Sequence, residues 1–130
     1  MIPKFRAWDK EDKEMLEVES IDFVNETLFL KRESKFSISW EELNLNDVIL
    51  MQSTGLRDKN GKEIFDGDIV KSKRGWISEV YYDKSSVSFR VKMGLLYLSA
   101  GSWVSYFDGE VLGNIHEHSY FLYKNEKGDY

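Results

Sequence analysis

The sequence predicts a mainly β protein, an N-terminal meander of short strands followed by a compact SH3-like or barrel-type β domain. Three observations carry that expectation. Apolar and polar residues alternate in several runs, most clearly Val87, Phe89, Val91 and Met93 against Ser88, Arg90 and Lys92. Turn residues recur about every 8–12 residues from Gly55 onward, the spacing of small sandwiches and barrels. Only Glu41 to Asn46 offers a plausible helical turn, and it is short and carries two asparagines.

Taken in order, Phe5 to Trp8 is a short aromatic strand, and the all-charged run Asp9 to Glu14 is a loop tip. Met15 to Val18 and Ile21 to Phe23 continue the meander, and Asn25-Glu26 turns it into the β-prone run Thr27 to Lys31. Phe36, Ile38 and Trp40 are spaced by two with serines between, which gives one apolar and one polar face. Val48 to Met51 is a continuous apolar run, the pattern of a strand covered on both sides. Asn60-Gly61 is a strong hairpin signal, because both residues tolerate positive φ. Asp66-Gly67 follows closely and leaves Ile64-Phe65 as a very short extended piece. Strands are then expected at Ile69 to Lys71, Trp76 to Tyr82, Val87 to Met93, Leu95 to Tyr97, Trp103 to Phe107 and Glu110 to Ile115. The expected organisation is an acidic lobe over 1–46, a β-barrel lobe over 47–123 and a frayed polar tail over 124–130.

Composition narrows the function classes. The chain has 130 residues with 42% hydrophobic and 15% aromatic content, enough for a real core. It has no cysteine, which excludes disulfides, thiolate metal sites and cysteine nucleophiles. No apolar run approaches the ~20 residues of a membrane helix, and the first ten residues lack the apolar core of a secretory signal. A cytoplasmic location with no membrane contact is therefore expected. The net charge of −5 is uneven: residues 1–50 hold 7 Lys+Arg against 12 Asp+Glu, whereas residues 51–80 hold 6 against 5. A nucleic-acid site would have to use the second stretch, with Arg57, Lys59, Lys71, Lys73 and Arg74 as cations and Trp76 as a stacking aromatic. Asp58, Glu63, Asp66 and Asp68 interrupt that patch.

Catalytic signatures are missing. There is no GxSxG elbow, phosphate-cradling glycine loop or dinucleotide fingerprint. His116 and His118 would share one face of a strand and could both reach a metal ion, but nothing in the sequence nominates a third ligand. Asp66-Gly67-Asp68 pairs two carboxylates, and Asp68 is expected to order its own turn. No catalytic residue, metal site or cofactor is expected.

The segment Leu50 to Val70, LMQSTGLRDKNGKEIFDGDIV, resembles the signature of the YopX family, small proteins of phages and prophages of Gram-positive bacteria. Lys4 to Asp9 (KFRAWD) is similar to the family's opening and Val111 to Ile115 (VLGNI) to its closing strand. The resemblance implies a mostly β protein with a barrel-like C-terminal part, and homo-oligomers, but no catalytic residues. After the closing strand the family often continues with an aromatic, an acid, Asn and Pro. Here the chain reads His116-Glu117-His118-Ser119, so the resemblance assigns these histidines no role. The expectation is a non-enzymatic phage or prophage accessory protein acting by self-assembly or on an unknown protein partner. A nucleic-acid-binding module is the alternative, and a metal-dependent enzyme a more remote one.

Overall fold

The computed structural model describes residues 3–126. It contains two antiparallel sheets and divides into two compact units, residues 1–52 and 53–130. In the first unit the strands are β1 (Phe5–Asp9), β2 (Glu14–Asp22), β3 (Thr27–Glu33), β4 (Ile38–Asn44) and the beginning of β5 (Val48–Arg57). Their order is β4-β3-β2-β1-β5. The expected meander is present because the charged tips close as turns. Asp9 Oδ1 accepts the N–H groups of Glu11 (3.0 Å) and Asp12 (3.3 Å), and Asp22 Oδ1 those of Val24 and Asn25 (both 3.0 Å). Period two sorts the side chains. Leu28 and Leu30 are buried with Ala7, Leu16 and Val48, while Phe29 between them points away.

Two expectations fail here. Glu41 to Asn44 belongs to β4, and only Leu45–Asp47 forms a single 3-10 turn. Strand pairing with β3, Thr27 to Glu33 against Asn44 to Ile38, overrides the weak helical propensity of the segment. Val48 to Met51 is not covered on both faces, since Ile49 is exposed. The apolar row also faces solvent: Phe36 is 91% exposed, Ile38 55% and Trp40 53%.

The second unit holds the end of β5, β6 (Glu63–Phe65), β7 (Asp68–Lys71), β8 (Ile77–Asp83), β9 (Ser88–Met93), β10 (Leu96–Ser99), helix α1 (Ala100–Phe107), β11 (Glu110–Asn114) and helix α2 (Tyr120–Glu126). Its main sheet runs β10-β9-β8-β7-β11, and β6 pairs with the end of β5. The sheet is open rather than a closed barrel, because β10 and β11 are its two free ends. Ile64, Val70, Val80, Val91, Met93 and Trp103 form the core, with Leu56, Trp76, Val104 and Phe107 packed against it.

Trp103 to Phe107 is helical rather than extended. Ala100, Trp103, Val104 and Phe107 lie on one helical face toward this core, and Ser99 caps the helix by accepting the Ser102 N–H at 3.1 Å. Val87 is not part of β9 but sits in the β8–β9 turn at φ +53°. Of the expected tail, 124–126 continue α2, and 127–130 lie outside the described residues.

Candidate functional site

The family-like segment Leu50 to Val70 is built around buried polar groups that organise turns. Asp58 Oδ1 accepts the N–H groups of Asn60 and Lys62, both at 2.9 Å, and Oδ2 accepts that of Val111 at 2.8 Å. Burial would raise this carboxyl, but the three N–H donors outweigh it, so it titrates below the ordinary aspartate range. Gly61 follows at φ +81°, a conformation that the turn requires and that favours glycine. Asp68 is almost fully buried and accepts the Phe65 N–H at 2.8 Å, closing the Asp66-Gly67 turn. Thr54 Oγ1 donates to the Ile64 carbonyl at 2.7 Å and accepts the Leu56 N–H at 3.1 Å.

The six residues of the sequence-predicted basic patch lie in or beside two turns. Arg57 ends β5 and donates to the Gly61 carbonyl at 2.8 Å. The Lys59 N–H reaches the Gly109 carbonyl at 3.1 Å, and the Lys73 N–H reaches the Phe107 carbonyl at 3.0 Å. Lys71 lies opposite Glu110 in the β7–β11 ladder, and Arg74 is exposed in the β7–β8 turn. Both turns are therefore tied to the segment 107–111. Trp76 donates its backbone N–H to Ser72 Oγ at 3.1 Å, and its side chain is half-buried against the core, which limits its use as a stacking platform.

The histidines are not on a strand. Residues 115–117 form a turn, so strand alternation does not set the directions of His116 and His118. Asn114 organises that turn: its Oδ1 accepts the N–H groups of His116 and Glu117 at 3.0 Å each. His118 Nδ1 accepts the Asn114 N–H at 3.1 Å, and its ring fills the space that a Cβ on Gly113 would need. Among the described residues no three His, Asp or Glu side chains are grouped as metal ligands.

The family model described as YopX protein matches residues 4–123. The chain belongs to the YopX family. It is also similar to the crystal structure of protein EF1440 from Enterococcus faecalis, at 33% identity and a TM-score of 0.68, covering 94% of this chain and 99% of that one. No curated protein matches.

This YopX-family chain carries further features that sequence reasoning passed over. Arg32 on β3 is surrounded by carboxylates. It is bonded to Glu41 (3.1 Å), Asp9 (3.1 Å) and Glu14, and Asp12 lies 3.5 Å away. The Glu41 hydrogen bond holds the guanidinium in its charged form. Burial would raise Asp9, but the N–H groups of Asp12 and Glu11 and the Arg32 charge bring it below the usual range. Glu79 on β8 behaves oppositely, since burial and then the nearby Asp66 carboxylate push it up. Nothing local marked either group, since the carboxylates reach Arg32 from positions 9 to 23 residues away. Exposed apolar groups also gather on two strands at free sheet ends: Ile38 and Trp40 on β4, and Leu96 and Tyr97 on β10. Among the described residues no helix is long and apolar enough to cross a membrane.

Proposed function

We propose that this YopX-family chain is a non-enzymatic accessory protein of phage or prophage that works in the bacterial cytoplasm as a self-assembling β module. The observation that supports this reading is the pair of sheet-end strands with exposed apolar side chains. Unpaired backbone groups beside apolar side chains invite another strand, and both the Ile38–Trp40 stretch of β4 and the uncharged β10 offer them. Meanwhile the buried carboxylates Asp58 and Asp68 and the amide of Asn114 are engaged in holding turns, which is structural work rather than acid–base chemistry. Size-exclusion chromatography with light scattering tests it. The reading expects a mass above the 15.3 kDa monomer that grows with concentration. A monomer throughout contradicts it.

A second reading keeps nucleic acid as the ligand. It draws on the tethering of the Lys59 and Lys73 turns to one segment, with Arg57 and Lys71 on the strand ends that lead into them and Arg74 beside Lys73. Binding to single- and double-stranded oligonucleotides at low salt, falling steeply as salt rises, is its signature. No binding at low salt removes it.

A further inference from the structure

Across β2, β3 and β4 the sheet of the first unit buries one face, with Leu16, Leu28 and Leu30, and exposes the other. Cross-strand rows define the exposed face. Asp22 stands beside Thr27, Phe29 stands between Ser20 and Glu42, and Lys31 stands between Glu17 and Trp40. Ile38 opposite Glu33 extends the face at its far end. An open cleft of about 340 Å³ spans the first two rows, lined by Ser20, Asp22, Thr27, Leu28, Phe29 and Glu42.

The face is acidic and aromatic. Asp22, Glu17, Glu33 and Glu42 share it with one cation, Lys31, and that ammonium is bonded to Glu33 at 2.7 Å. Asp22 is committed to its own turn, since besides the two backbone N–H groups it accepts the Asn25 side-chain amide at 2.7 Å. Glu42 differs. Among the described residues it makes no hydrogen bond or ion pair, and it lies directly opposite the exposed ring of Phe29. A carboxylate beside an aromatic ring suits a guanidinium, which donates to the acid and lies flat on the ring. An anion is repelled by the surrounding carboxylates, and a wholly apolar guest would desolvate Glu42 without pairing it. The cleft is too open to enclose a small molecule, so a ligand also needs contacts beside it. Trp40 and Ile38 supply them, both exposed and on the same face. We propose that this cleft receives an arginine side chain from an extended segment of a partner protein, with an apolar residue two positions along resting on Trp40. Glu42 and Trp40 are themselves two residues apart on β4, about 7 Å in a strand, which is the spacing an extended segment gives to side chains on one side. The contact uses the face of the sheet rather than its unpaired edges, so it does not rest on the self-assembly reading.

The test is an NMR titration of the full nitrogen-15-labelled chain with the capped peptide Ala-Arg-Ala-Leu-Ala and, separately, with Ala-Glu-Ala-Leu-Ala. The arginine peptide is expected to shift the amide signals of residues 20, 27–31 and 40–43 saturably, and the glutamate peptide to shift none of them. Glu42→Gln is expected to weaken binding about tenfold, and Phe29→Leu, which keeps apolar bulk but removes the ring, about threefold. Glu11→Gln removes a carboxylate from the exposed β1–β2 turn and is expected to leave binding unchanged, which gauges diffuse attraction. All three side chains are exposed, and an unchanged far-UV circular dichroism spectrum verifies that each variant folds. No saturable shift with the arginine peptide overturns the inference, as does equal binding of the two peptides. Binding that is insensitive to Glu42→Gln or to Phe29→Leu overturns it too. Equal weakening by Glu11→Gln and Glu42→Gln assigns the effect to overall charge and likewise overturns it.

Discussion

Asp58 shows a charged side chain holding a β structure together rather than performing chemistry. Its three N–H donors come from two neighbouring residues of its own turn and from Val111, which is 53 positions away. Replacing it with alanine leaves those donors short of an acceptor. The expected loss is about 3 kcal/mol of unfolding free energy in urea titration, since stranded buried polar groups cost about 1–3 kcal/mol. Its pH dependence has a definite sign. Asp58 and Asp9 are depressed in the folded chain, so their contribution is present above the unfolded aspartate value and is lost as pH falls through the folded one. Glu79 is raised, so its charge opposes folding above its folded pKa and relief comes as pH drops. Glu79→Gln is expected to raise the melting temperature at pH 7 and to have little effect at pH 4, below the ordinary glutamate value. An unchanged melting temperature at pH 7 would contradict this. At this scale the turns were legible, because Asn60-Gly61 and Asp66-Gly67 carry local conformational preferences. The partners were not. Neither Val111 for Asp58 nor Asp66 for Glu79 leaves a mark in a short window of sequence.

At the scale of elements, the strands with strict alternation were readable and the short helix was not. Trp103 to Phe107 is rich in aromatic and β-branched residues, which favour strands locally. Its true period appears only when Ala100 is included, and the Ser99 cap then marks the start. Trp103 is almost fully buried in the core, so Trp103→Ala is expected to cost about 3–5 kcal/mol, read from the shift of the denaturation midpoint. The β8–β9 turn offers the opposite outcome. Val87 is β-branched, 72% exposed and held at φ +53°, a region that disfavours it. Val87→Gly is expected to stabilise by about 1 kcal/mol, because relief of the left-handed strain outweighs the loss of an exposed side chain. A destabilised variant would show that the valine makes contacts that compensate its backbone. The same scale explains β4. Its apolar row is evident in the sequence, but periodicity cannot say whether such a row faces a core or solvent.

Across the whole molecule, the acid excess lies in the first fifty residues, with 7 Lys+Arg against 12 Asp+Glu. Much of it gathers around Arg32, where Asp9, Asp12, Glu14 and Glu41 converge. The expected barrel was an overreach of a sound inference. Dense turns and alternation predict antiparallel strands, but closure depends on whether the end strands meet, which local patterns do not encode. Because the second sheet stays open, β10 is a free end as β4 is in the first. Exposed apolar side chains on the two end strands make self-association the central claim. Sedimentation equilibrium of the intact chain, over a wide concentration range and at low and high salt, tests it most directly. The account predicts a weight-average mass that rises above 15.3 kDa with concentration. A mass fixed at 15.3 kDa under every condition would contradict it.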